Sequence, residues 1–214
     1  MCCILLMDDK PPPASQSRGG KGEFYNALLQ KQFNRNMFAV SLKDAPCAEP
    51  LCCCASMCVP LAACYHRNSV LKVDGGRGIQ DFVCCQGYIG KCCCIDPKTF
   101  CPGSPIGLCF EGWCCGILSM SVARVHLMDK RSLRPDPIDY QIIAFANCLQ
   151  LISCLCQIAA LAFEGLEQAA EAIECVADAV SCSVAGCMGA QIHHELNQPN
   201  TAQVAPSGGV MVRG

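Results

Sequence analysis

From Gln141 to Phe163 the chain carries no charged side chain. A run of that length is either a helix buried among other helices or one long enough to cross the hydrocarbon core of a bilayer. Asn147, Gln150, Ser153 and Gln157 recur three or four residues apart within it. At helical spacing they form one stripe, which suits a face packed against another helix. The chain is therefore expected to be mainly α-helical, with a cysteine-rich irregular region followed by long apolar and amphipathic helices.

Composition supports a helical protein with an unusual surface. Only 16% of the 214 residues are charged, where soluble domains carry about 25%, and mean hydropathy is +0.29. Part of the surface is expected to meet lipid or another protein. The net charge of −2 argues against nucleic acid as a partner, because phosphate binding needs a basic face.

Twenty-three residues are cysteine, clumped as Cys52-Cys53-Cys54, Cys92-Cys93-Cys94, Cys2-Cys3, Cys84-Cys85 and Cys114-Cys115. Met1 to Met7 is apolar, but Asp8-Asp9 follows and no basic region precedes it, so no cleavable signal peptide is read. The expected setting is the cytosolic face of a membrane, where thiols stay reduced. Zinc ligation, S-acylation and burial as small hydrophobes are then the fates open to these thiols. The Cys54-x₃-Cys58 pair has the spacing of a zinc-ligating turn, and Cys182-x₄-Cys187 is a looser pair near His193-His194. These four cysteines are the candidate metal ligands, with zinc as the candidate cofactor. Cys2 and Cys3, beside Ile4-Leu5-Leu6, are the candidate lipidation sites. Cys148, Cys154 and Cys156 are read as small core residues.

No enzymatic activity is expected. The dinucleotide, phosphate-loop, serine-hydrolase and zinc-protease motifs are all missing, and no histidine is tied by sequence to a particular thiol.

The chain divides into a flexible arm (1–22), one cysteine-rich helical domain (23–196) and a disordered tail (197–214). Within the domain, 23–40 reads as an amphipathic helix, and 47–103, broken by Pro46, Pro50, Pro60 and several glycines, as short helices and turns. Residues 106–123 are apolar apart from Glu111, and 164–191 continue in helical register with Glu167, Glu171, Glu174 and Asp178 on one face. Basic Arg124, Lys130, Arg131 and Arg134 precede the uncharged run and acidic residues follow it, which places the 124–134 loop on the cytosolic side if the run spans. A single span or a peripheral association fits this pattern better than a two-span hairpin built from 106–123 and 141–163.

Two stretches resemble the PLAC8 family of cysteine-rich proteins. In 38–71 the residues Leu42, Cys47, Cys54, Cys58 and Pro60 match that family's opening pattern, with Leu61 where its core ends in cysteine. In 182–196 the residues Cys187, Gln191, Glu195 and Leu196 align with its closing C-x-x-C-Q-x-x-R-E-L, while Ala190 replaces the second cysteine and His194 the arginine. The resemblance implies a membrane-associated, self-associating protein linked to growth or size control and to metal-ion handling. A soluble assembly subunit with helices buried against partners, and a zinc- or soft-metal-binding thiol protein, are the alternatives.

Overall fold

The computed structural model describes residues 31, 34–88, 101–134, 136–163 and 165–198. The arm, residues 23–30 of the domain, the Cys92 triplet and the tail from 199 onward fall outside them, and with them the candidate lipidation sites Cys2 and Cys3. Asn197, assigned to the tail by the sequence reading, is the last residue of a helix. The described chain is mainly α-helical, with seven α-helices and one two-stranded parallel sheet. In order these are β1 (Asn36–Met37), α1 (Ala45–Ala48), α2 (Pro50–Ser56), α3 (Val59–Lys72), α4 (Pro105–Cys114), α5 (Gly116–Arg131), β2 (Leu133–Arg134), α6 (Pro137–Ala162) and α7 (Glu167–Asn197). Short 3₁₀ turns at Val73–Gly75, Gly78–Asp81 and Cys84–Gly87 follow α3.

Proline starts helices here more than it stops them. Helices α1, α2, α3, α4 and α6 each have proline at their first or second position. There the ring's fixed φ suits the helix, and the missing N–H had no intrahelical partner to lose. Ser104 and Asp136 complete two of these starts by accepting hydrogen bonds from the backbone N–H groups of Ile106 and Ile138. The short helices and turns expected over 47–103 are present from 47 to 88, while 89–100 lie outside the described residues.

Three elements differ from the sequence reading. The amphipathic helix anticipated over 23–40 does not reach Val40, because the chain is extended at Asn36–Met37. Asn34 and Asn36 donate their side-chain amides to the carbonyls of Leu133 and Arg131, and such side-chain-to-backbone bonds compete with helix. The apolar stretch 106–123 is broken at Cys115, where α4 and α5 meet at 117°. Gly116 lets this corner close, since an added Cβ there would lie 2.6 Å from Val59 Cγ1. Between Phe163 and Glu167 the chain reverses through Gly165 at φ +93°, so the acidic stretch forms a separate helix antiparallel to α6.

The C-terminal half of α7 is the hub of the body. It packs on α1, α2, α3 and α5. Leu42, Ala62, Ala63, Met120, Ile143, Ala146, Val184, Ala185 and Met188 form one core cluster. Val70, Ala123, Leu127, Met128, Leu133 and Ile192 form the next. Small residues let α7 approach α2 closely: a Cβ on Gly189 would overlap Ser56 Oγ, and one on Gly186 would lie 2.8 Å from the Cys53 carbonyl oxygen.

Candidate functional site

Two features of the fold have functional potential, one on the surface and one in the interior.

The surface feature is the far half of the α6–α7 hairpin. Ile143 and Ala146 anchor the first turns of α6 in the body. Between residues 148 and 162 only Ser153 is buried, and between 167 and 180 only Ala170 and Ala177. The remainder projects from the body. Leu151, Ile152, Leu155, Ile158, Leu161 and Phe163 are exposed along it, Leu161 at 91%. The polar stripe of α6 turns in part toward α7. Gln150 donates to Asp178 Oδ1 at 3.0 Å and to Ser181 Oγ at 2.9 Å, and Ser153 is buried, whereas Gln157 is exposed. On α7, Glu167, Glu171, Glu174 and Asp178 are all exposed. Two helices, Gln141–Ala162 and Glu167–Asn197, are long and apolar enough to cross a membrane. They differ in burial: 17% of the apolar window in α6 is buried, against 39% in α7, whose apolar half is the hub described above.

The interior feature centres on Glu111, the lone carboxylate in the apolar stretch. Helix α4 buries it against Arg67 of α3, and both side chains are almost wholly inaccessible. Glu111 Oε1 accepts from Arg67 Nε at 3.1 Å and from Ser119 Oγ at 2.8 Å, and Oε2 accepts from the Cys85 backbone N–H at 2.6 Å. Arg67 Nη2 donates to the Val83 carbonyl and to Gln86 Oε1, both at 3.2 Å. Its Nη1, also buried, has no hydrogen-bond partner among the described residues.

Cys84 and Cys85 lie in the turn that Glu111 holds. Their Sγ atoms are 3.9 Å apart. The hydrogen bond between the two thiols lowers the Cys84 pKa and raises that of Cys85, which burial and the Glu111 charge raise further. Two other thiols meet cysteine neighbours across helix interfaces. Burial and then Cys109 push Cys64 up to about 11, and burial and then Cys53 push Cys187 up to about 11. No disulfide links two described cysteines.

The four cysteines singled out as candidate metal ligands do not share an environment. Cys54 and Cys58 are exposed on and just after α2, while Cys182 and Cys187 are half-buried on α7. The thiol that meets Cys187 is Cys53. Among the described residues, one group of three or more thiol, imidazole or carboxylate ligands lies close enough to share an ion, and it is Cys84, Cys85 and Glu111. The sequence does contain a signal for it: a single acid inside an apolar run needs a buried partner. The reading of Cys148, Cys154 and Cys156 as core residues is corrected, because Cys154 is exposed and the other two are half-buried.

The two stretches that carry the family-like patterns meet in the fold. Gln191 Nε2 donates to the Val40 carbonyl at 2.9 Å, and Glu195 Oε2 accepts from the Ala39 backbone N–H at 2.9 Å. Asp139 is buried between them. It accepts from the Leu42 backbone N–H at 2.9 Å and from Gln191 Nε2 at 3.0 Å, and pairs with Arg124. Arg124 in turn donates to Gln191 Oε1 at 2.7 Å and lies over the Phe38 ring. His194, standing where the pattern has arginine, pairs with Glu49 at 3.2 Å. These polar residues therefore clamp the 38–42 segment to α7, which accounts for them structurally. No family model matches the chain, and comparisons with curated proteins and with solved structures return no match.

Proposed function

We propose that this chain is a non-enzymatic, membrane-associated protein that rests on a lipid surface through the projecting half of α6. The observation that carries the reading is a 22-residue apolar helix segment, Gln141–Ala162, left mostly uncovered by the rest of the chain. Exposed apolar surface on this scale marks a membrane or partner contact.

The geometry favours lying in the interface over crossing the bilayer. The hairpin projects over residues 148–162 and 167–180, about 20 Å at about 1.5 Å per residue, short of the roughly 30 Å hydrocarbon core. Because α6 and α7 pack antiparallel, a crossing by α6 would take α7 with it. The exposed acids of α7 would then enter hydrocarbon at about 3 kcal/mol each. With α6 turned to lipid and the acidic face of α7 turned to water, the pair has the amphipathic character of an interfacial helix. The family-like stretches point the same way, since the PLAC8 resemblance implies a membrane-associated protein. Acyl chains on Cys2 and Cys3 would add the second anchoring signal that stable attachment needs.

Flotation with zwitterionic lipid vesicles tests the reading. The full chain is expected to float with them and to stay with them through a high-salt or carbonate wash, because the contact is apolar. A chain that stays soluble without detergent or partners and does not float overturns it. A stable stoichiometric complex with another protein, without flotation, assigns the same face to a partner instead.

A further inference from the structure

The described interior holds three potential ligands whose donor atoms all lie within 4.8 Å of one another: the thiols of Cys84 and Cys85 and a carboxylate oxygen of Glu111. We propose that these three residues form a binding site for one soft divalent cation of the zinc and cadmium class.

The first argument is the backbone. Side chains of adjacent residues normally diverge. Here Cys85 and Gln86 adopt left-handed conformations, φ +50° and +48°, which side-chain-bearing residues rarely take up. The turn brings both thiols to one side, and the hydrogen bond from the Cys85 N–H to Glu111 Oε2 ties it to the third ligand. Strained backbone of this kind persists where its surroundings over-determine it, and it concentrates at functional positions.

The second argument is distance. Two sulfurs on a tetrahedral zinc, each at about 2.3 Å, are about 3.8 Å apart. The observed separation of 3.9 Å matches that edge, and it is far longer than the roughly 2.05 Å of a disulfide. The pair is thus spaced for an ion without a change in the turn.

The third argument is charge. Arg67 and Glu111 already cancel in the buried cluster. A divalent cation entering with two thiolates brings no net charge, so the interior stays neutral overall. The buried, unpartnered Nη1 of Arg67 is a donor suited to a thiolate ligand. Two thiolates with one carboxylate select zinc or cadmium over magnesium or calcium, which prefer all-oxygen sites. Cys84 is half-buried while Cys85 and Glu111 are buried, so the site is reached from the Cys84 side.

The test is cadmium titration of the reduced full-length chain, with bound ions counted by native mass spectrometry. Other thiols add to the total, so the decisive quantity is a difference: the C84S/C85S double variant is expected to hold one ion fewer than the parent. Unchanged stoichiometry overturns the proposal. If the double variant does not fold, the parent alone decides. With cadmium bound, alkylation of Cys84 is expected to slow at least tenfold, read by peptide mapping, while exposed Cys47 serves as the reference. Equal alkylation of Cys84 with and without cadmium also overturns it. Neither readout involves lipid, so this site and the membrane reading stand or fall separately.

Discussion

Replacing Glu111 with alanine is the most direct test of how the cysteine-rich body is held. The Glu111 and Arg67 side chains are 1% and 0% exposed, so neither charge has water to fall back on. The substitution deletes the ion pair, leaves the guanidinium with only the Val83 carbonyl and Gln86, and strips the Cys85 N–H and the Ser119 hydroxyl of their acceptor. Breaking a buried pair by removing one partner costs about 3–5 kcal/mol, because the surviving charge stays buried. That is a third or more of the stability of an ordinary domain. With a urea slope of about 2 kcal/mol per molar, the midpoint is expected to fall by about 2 M. Far-ultraviolet circular dichroism follows the helices, and the fluorescence of Trp113, the only tryptophan, reports on α4, the helix that carries Glu111. The paired variant R67L/E111L removes both charges together and should lose far less than the sum of the single substitutions, because ion desolvation disappears with the ions. A single-variant loss below about 1 kcal/mol, or a double variant as damaged as the sum, would refute the reasoning.

Three further outcomes are expected. Gly189→Ala, favourable by helix propensity alone by about 1 kcal/mol, should instead destabilise by about 1–3 kcal/mol. The new Cβ would overlap Ser56 Oγ and lie 2.9 Å from His66 Nε2, and denaturation against the parent chain measures the sign. Stability should fall as pH drops from the ordinary imidazole value of about 6.5 toward 4. Burial holds His66 and His126 down to about 4 in the folded chain, so over that range the unfolded chain binds protons that the folded chain refuses. His66 alone contributes on the order of 3 kcal/mol to that loss, and the half-exposed His126 less; equal urea midpoints at pH 7 and pH 5 would contradict it. Stability should fall again as pH rises past the ordinary thiol value of about 8.5, because burial holds Cys64 and Cys187 up to about 11 in the folded chain. Finally, Leu155→Glu with Ile158→Glu, both more than half exposed, should leave the helical signal intact and reduce vesicle flotation by roughly a hundredfold, since burying each side chain in lipid contributes about 1.5 kcal/mol or more.

Much of the architecture follows from local chemistry and is legible in the residues alone. The uncharged run does form a long helix, Pro137–Ala162, since apolar periodicity and a proline beside a capping aspartate act within a few residues of themselves. The acidic stripe of α7 is exposed, as helical spacing requires; on the apolar side Ala170 and Val184 are buried, while Leu166 and Val176 are exposed where the hairpin leaves the body. Less legible were the breaks. The corner at Cys115 depends on Gly116 meeting Val59, and the extended strand at Asn36 depends on the Arg131 and Leu133 carbonyls that accept from Asn36 and Asn34. Both causes lie far away in the chain.

The cysteines show the division most plainly. Composition and clumping by themselves determine that this is a thiol-rich helical chain with too little charge to cover its surface. They do not determine which thiol of a clump faces what, because each step along a helix turns the side chain by about 100°. Cys53 meets Cys187 while its neighbour Cys54 is exposed, and no spacing rule separates the two. Cys84 and Cys85 face the same way only because a left-handed turn is tied to Glu111. Glu111 itself is held by Arg67 from another helix. Those pairings arise when α2 packs on α7 and α3, α4 and α5 pack on one another, so only the tertiary structure decided them.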